Sequence, residues 1–124
     1  MMAKLIMWFW FAALQEGAVL EWKQNSYDFG DIRQGEKVEH TFSFTNVGKE
    51  PLIITNVTTQ CGCTTPKGWP RDPVMPGAKG EITIAFDSSS KLGRQNKVAT
   101  VISNAVNTKA NQLLLSGNVL EKTP

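Results

Sequence analysis

Val38-Glu39-His40-Thr41-Phe42-Ser43-Phe44-Thr45 alternates between two kinds of side chain along its whole length. Successive residues of an extended strand point to opposite faces. Val38, His40, Phe42 and Phe44 therefore share one face, and Glu39, Thr41, Ser43 and Thr45 share the other. The stretch predicts a half-buried strand with its phenylalanines turned inward.

The neighbouring residues extend this pattern. Downstream, Asn46-Val47-Gly48-Lys49-Glu50-Pro51 reads as a turn, and Leu52-Ile53-Ile54-Thr55-Asn56-Val57 as the next strand. Upstream, Gln34-Gly35-Glu36 reads as a turn. Before it lie Ser26-Tyr27-Asp28-Phe29, a strand broken by Gly30-Asp31, and a short first strand, Val19-Leu20-Glu21-Trp22. Thr65-Pro66-Lys67-Gly68-Trp69-Pro70-Arg71-Asp72-Pro73 is expected to be an irregular loop stiffened by its prolines. Glu81 to Asp87 alternates again, with Ile82, Ile84 and Phe86 on one face. Val98–Ser103 and Gln112–Val119 supply the last two strands. From Ala18 onward nothing reads as a helix. About seven short strands separated by turns predict an all-β, antiparallel β-sandwich over residues 18–120.

The chain has 124 residues, enough for one domain with a real core. A hydrophobic content of 41% with 19% charged residues fits a folded globular protein rather than a disordered one. The formal net charge is +2, and the Lys and Arg residues are scattered, which argues against nucleic acid as a partner.

The N-terminus differs from the rest. Met1-Met2-Ala3-Lys4 carries one positive charge, and Leu5 to Leu14 is unbroken apolar sequence. At about ten residues this run matches the core of a signal peptide and falls short of the roughly twenty a membrane span needs. Residues 1–17 read as an export signal cut near Ala13 to Gly17, to a periplasmic or envelope location. The competing reading is an apolar strand or a short anchor, with membrane association through that segment. Ala13-Leu14-Gln15 is the nearest small-x-small match, although Gln is not small. No cysteine lies near the junction to support a lipoprotein anchor.

Both cysteines fall in Gln60-Cys61-Gly62-Cys63-Thr64. In an extended strand residues i and i+2 lie about 6.5–7 Å apart, slightly beyond the usual disulfide range, so a bond between Cys61 and Cys63 needs Gly62 to let the chain curl. The closed loop would be so short that its entropic effect on folding is small. Three readings stay open: a local disulfide or packed thiol pair shaping the turn before Thr64, a reducible redox disulfide, and a soft-metal site for Cu(I) or zinc. The redox reading lacks a thioredoxin-like pattern with Cys-x-x-Cys. The metal reading lacks ligands, since His40 is the only histidine and Met75 or a second chain would have to contribute.

Other residues carry weaker signals. His40, on the inward face, is expected to be a hydrogen-bonded structural residue. Trp69 beside Pro70 is either a recognition aromatic or a cap on one end of the core. No Gly-x-Ser-x-Gly or His-Glu-x-x-His occurs, and nothing in the sequence selects a carboxylate pair or calls for a cofactor.

Phe29-Gly30-Asp31-Ile32, Gly35-Glu36, Phe42-Ser43-Phe44-Thr45-Asn46, Gly48, Pro51-Leu52, Cys61-Gly62-Cys63-Thr64, Pro76-Gly77, Gly80, Phe86-Asp87 and Ser103-Asn104, in that order, resemble a bacterial exported family. It is the domain of unknown function fifteen-seventy-three family, common in Bacteroidetes-type bacteria. The resemblance runs from about Trp22 to Val119. It implies an immunoglobulin-like sandwich similar to Hydin-type and major-sperm-protein-type modules, and export to the envelope. It implies no established enzymatic activity.

The expectation is therefore a non-catalytic, immunoglobulin-like interaction module of the envelope. It would bind a partner protein through a sheet edge or through the loops carrying Cys61, Gly62, Cys63, Thr64 and Trp69. The alternative is a thiol-redox or copper-handling protein using Cys61 and Cys63.

Overall fold

The computed structural model describes residues 16–108 and 111–122. The export-signal reading lies outside the described residues except at Glu16 and Gly17. Eight strands follow in order: β1 (Leu20–Trp22), β2 (Ser26–Arg33), β3 (Lys37–Asn46), β4 (Ile54–Thr59), β5 (Thr64–Gly68), β6 (Lys79–Asp87), β7 (Gly93–Ser103) and β8 (Gln112–Leu120). They form two four-stranded sheets, ordered β1-β3-β6-β5 and β2-β8-β7-β4.

The inward face of β3 is the one its alternation predicts: Phe42 and Phe44 are buried, and Glu39 and Thr41 are exposed. Ile82, Ile84 and Phe86 of β6 join them, and Val101, Leu113 and Leu115 close the core from the second sheet. Each large side chain buried this way contributes roughly 1.5–3 kcal/mol.

Three elements differ from the sequence reading. Gly30-Asp31 does not end β2. The strand continues to Arg33 through a register shift between Asp28 and Asp31, with Gly30 at φ 74°. The Asp28 carboxylate accepts the Gly30 amide at 2.8 Å, so a residue able to adopt positive φ makes a bulge rather than a break. Thr64 to Gly68 is a strand, not a loop. β5 pairs with β6 at the sheet's edge, and its ladder shifts between Pro66 and Gly68. An edge is where a proline, lacking an N–H, is tolerated in a sheet. Finally, the β2–β8 pair is parallel while the other ladders are antiparallel. Parallel neighbours need a long connection, and here nearly the whole domain supplies it.

One end of the sandwich is tied by asparagines. Asn46 is fully buried at the end of β3. Its Oδ1 accepts from the amides of Val19 at 3.2 Å and Gly48 at 3.0 Å, and its Nδ2 donates to the carbonyls of Glu50 at 2.8 Å and Val74 at 2.9 Å. Every hydrogen-bonding position of the side-chain amide is used. Gly48 passes so close to Gly17 and Val19 that a Cβ there would collide with their backbone. The Gly17 carbonyl accepts from the amides of Lys49 at 2.8 Å and Glu50 at 3.3 Å. Asn107 brackets Leu20, accepting from its amide at 3.0 Å and donating to its carbonyl at 2.7 Å. Asn104 bonds the Ile53 amide and the Pro51 carbonyl.

Candidate functional site

Two features come from the opposite end and the flank of the molecule: the cysteine loop and the outer edge of β3. The loop joins β4 in one sheet to β5 in the other. Residues 61–64 form a tight turn in which the Thr64 amide donates to the Cys61 carbonyl at 3.1 Å. The turn brings the two Cα atoms to 5.2 Å, and a Cys61–Cys63 disulfide closes across them. Thr59 Oγ1 is within reach of the Thr64 carbonyl at 2.8 Å and the Cys61 carbonyl at 3.3 Å, and the Asp87 amide donates to the Cys63 carbonyl at 2.8 Å. The Cys63 amide also points at Cys61 Sγ, at 3.2 Å.

Both cysteines are half-buried, and Cys63 packs against the core. On one side they open onto a cleft of about 420 Å³, lined also by Asp87, Ser89, Ser90 and Lys91. On the other, Cys63 borders a smaller cleft of about 150 Å³ shared with Lys37 and Lys67. The hydroxyl of Ser89 at 2.6 Å and its amide at 2.9 Å bond the Asp87 carboxylate and hold its pKa below the usual carboxylate value, with Lys37 adding to the effect. Ser88, buried beside it, accepts from the Gly35 amide at 3.0 Å and donates to the Glu36 carbonyl at 2.6 Å, locking the 34–36 turn to this end.

Of the other residues singled out in the sequence, Gly62 and Thr64 converge here, and Trp69, Met75 and His40 do not. Gly62 and Thr64 belong to the turn itself. Trp69 lies beyond β5, packed against the core with the Arg71 guanidinium 4.0 Å over its ring. Its Nε1 is buried without a hydrogen-bond partner among the described residues. Met75 sits in the turn before β6, at the asparagine end, roughly 27 Å from the cysteines along that strand. Among the described residues no three His, Cys, Asp or Glu side chains cluster as metal ligands.

His40 lies on the inward face as expected, and among the described residues ring contacts rather than a hydrogen bond hold it. It stacks on Tyr27 with centroids 3.8 Å apart and planes 6° from parallel, and meets Phe42 edge-on at 4.7 Å. Burial lowers its pKa below the ordinary histidine value.

The edge of β3 was not legible as a site in the sequence. β1 covers β3 only from Phe44 to Asn46, and the last bond between the two segments runs from the Lys23 amide to the Ser43 carbonyl at 2.9 Å. Backbone direction alternates along a strand, so Glu39 and Thr41 turn their N–H and C=O groups the same way as Ser43, away from β6. Among the described strands none pairs with them on that side. The signal that could have found this edge was the brevity of the apolar run at Leu20–Trp22 beside the long alternation of β3.

Comparison with known proteins agrees with this architecture. A protein of unknown function from Porphyromonas gingivalis W83 superimposes with a TM-score of 0.70 at 23% identity, covering 87% of this chain and 50% of that one. The PapD-like domain 7 of human CEP192 gives 0.63 at 13% identity, covering 84% and 87%. The secreted serine protease VesC from Vibrio cholerae gives 0.61 at 17% identity, covering 93% of this chain and 25% of that one. The chain thus spans half the length of the Porphyromonas protein and a quarter of VesC. At these identities the likeness establishes the fold, an immunoglobulin-like sandwich. No curated protein matches the sequence. The family model described as "Protein of unknown function (DUF1573)" matches residues 20–119, nearly the whole of the eight-stranded sandwich, and the chain belongs to that family.

Proposed function

We propose that the domain is a non-catalytic interaction module of the bacterial envelope that takes up an extended segment of a partner protein along the open edge of β3. The observation that carries this reading is the stretch of β3 before Ser43, which no described strand covers and where Glu39 and Thr41 offer outward N–H and C=O groups. An incoming strand would satisfy those groups and continue the sheet where β1 stops. The apolar side of such a segment would meet the Tyr27–His40 stack, and its polar side would lie beside the Thr41–Thr83 hydroxyl pair. Charged Lys37 and Glu39 guard the edge against indiscriminate pairing. Export is supported by the Leu5–Leu14 run and by a disulfide, a bond that persists in oxidising compartments.

The test is crosslinked capture from intact envelopes with wild type and Glu39→Pro. The substitution removes an outward N–H and spares the ladder to β6. The expected result is loss of the captured partner with an unchanged circular dichroism spectrum. Equal capture by a folded Glu39→Pro protein would sink the reading.

A further inference from the structure

We infer that Cys61 and Cys63 form a thiol–disulfide exchange site addressed by dithiol proteins, with Cys61 as the sulfur that carries the mixed disulfide. The inference is independent of the β3 edge. It begins from what the bond does not do: it joins residues only two apart, so it constrains almost none of the unfolded chain. The turn is held without it, by the Thr64 amide on the Cys61 carbonyl, by Thr59 Oγ1, and by the Asp87 amide on the Cys63 carbonyl. Opening the disulfide therefore leaves the two sulfurs facing each other, poised to close again.

Core packing and one hydrogen bond distinguish the two sulfurs, although Cys63 also borders the smaller cleft with Lys37 and Lys67. Cys63 packs on the core, whereas Cys61 is outside that cluster, and both border the larger cleft with Lys91. The Cys63 amide aims at Cys61 Sγ, and Thr64 Oγ1 lies 3.6 Å from Cys63 Sγ. The backbone amide bond, made to Cys61 Sγ, favours its thiolate.

The exchange balances in two steps. A thiolate of the partner attacks Cys61 Sγ, the Cys61–Cys63 bond breaks, and its electron pair leaves on Cys63 Sγ, which takes a proton from water. The partner's second thiolate then attacks the partner's own sulfur in the mixed disulfide and releases Cys61 as a thiolate beneath the Cys63 amide. The partner dithiol is oxidised to a disulfide, and this protein gains the two electrons as a dithiol. The reverse sequence starts with Cys61 as the nucleophile.

The test uses dithiothreitol as the dithiol probe on the folded chain, with free thiols trapped by alkylation and counted by intact mass. Both thiols are expected to appear together in native buffer at a rate within about threefold of that in urea, with the strand signal in circular dichroism retained. A second measurement reacts single-cysteine variants with dithionitrobenzoate. Cys63→Ser, which leaves Cys61, is expected to react roughly tenfold faster than Cys61→Ser, which leaves Cys63. Thiols released only on unfolding, loss of the strand signal on reduction, or a faster Cys63 would each overturn the assignment.

Discussion

The two ends of the sandwich are closed by different chemistry. At one end the ties are hydrogen bonds from side-chain amides, and they reach far along the chain: Asn46 bonds Val19 and Val74, and Asn107 brackets Leu20. At the other end the conspicuous tie is covalent, but it spans two residues, and the longer reach there belongs to Ser88 and the Asp87 amide. Cross-links stabilise a fold in proportion to the freedom they remove or the buried groups they satisfy, not to the strength of the bond itself. The asparagine end should therefore carry stability and the sulfur end should be free for chemistry.

Asn46→Ala tests this most severely. It leaves the Val19 and Gly48 amides and the Glu50 carbonyl without their partner and takes one of two donors from the Val74 carbonyl, around a side chain that is itself fully buried. At about 1–3 kcal/mol for each group stranded, with partial relaxation, the loss should be on the order of 4 kcal/mol, a large part of a typical 5–15 kcal/mol domain stability. Urea denaturation should show the midpoint collapse or the chain unfolded at the outset. A shift too small to separate from that of the cysteine variants below would erase the distinction between the ends. Asn107→Ala removes a shallower pair of bonds on β1 and should cost about 1–2 kcal/mol by the same measurement.

That Asn46 matters so much could not be read from its place in the chain. The alternation of β3 announces which of its residues face the core, and Phe42 and Phe44 are there. The same alternation assigns Asn46 to the buried face, but an asparagine followed by Val47-Gly48 has the composition of any turn. What makes it structural is the convergence of residues 19, 48, 50 and 74, a product of topology. Pro66 misled for a related reason: proline marks a loop unless the strand proves to be an edge, and edge status is decided by the order of strands. The parallel alignment of β2 with β8 left no local trace at all. Cys61-Gly62-Cys63 was legible as a unit because its chemistry is local, requiring only a curled turn. The open edge of β3 depends on where β1 stops and was visible only in the folded sheet.

Replacing both cysteines, Cys61→Ser with Cys63→Ser, should lower stability far less than Asn46→Ala. The chain-entropy relation for a loop this short gives about 1.5 kcal/mol as its full value. Urea titrations of the double variant and of the wild type under a reducing agent should agree, since both remove the same constraint. A loss approaching that of Asn46→Ala would mean that the sulfurs organise this end of the core after all.

Between the ends, the Tyr27–His40 stack ties β2 to β3 across the two sheets, and pH should perturb it. Burial lowers the pKa of His40 below its unfolded value of 6.5, so the fold favours the neutral ring. Between the folded and unfolded pKa values the unfolded chain binds more protons than the native one, and stability there rises with pH. The contribution is complete above about pH 6.5 and is lost as the pH falls from there through the folded pKa. Thermal midpoints measured from pH 8 down to pH 5 should therefore decline below pH 6.5 in wild type. His40→Phe, which keeps a ring against Tyr27 and cannot take up a proton, should flatten that decline. Asp87 does not confuse the result, because its lowered carboxyl pKa places its own titration below this range. An identical decline in His40→Phe would assign the pH dependence to other groups and leave the stack with a packing role only.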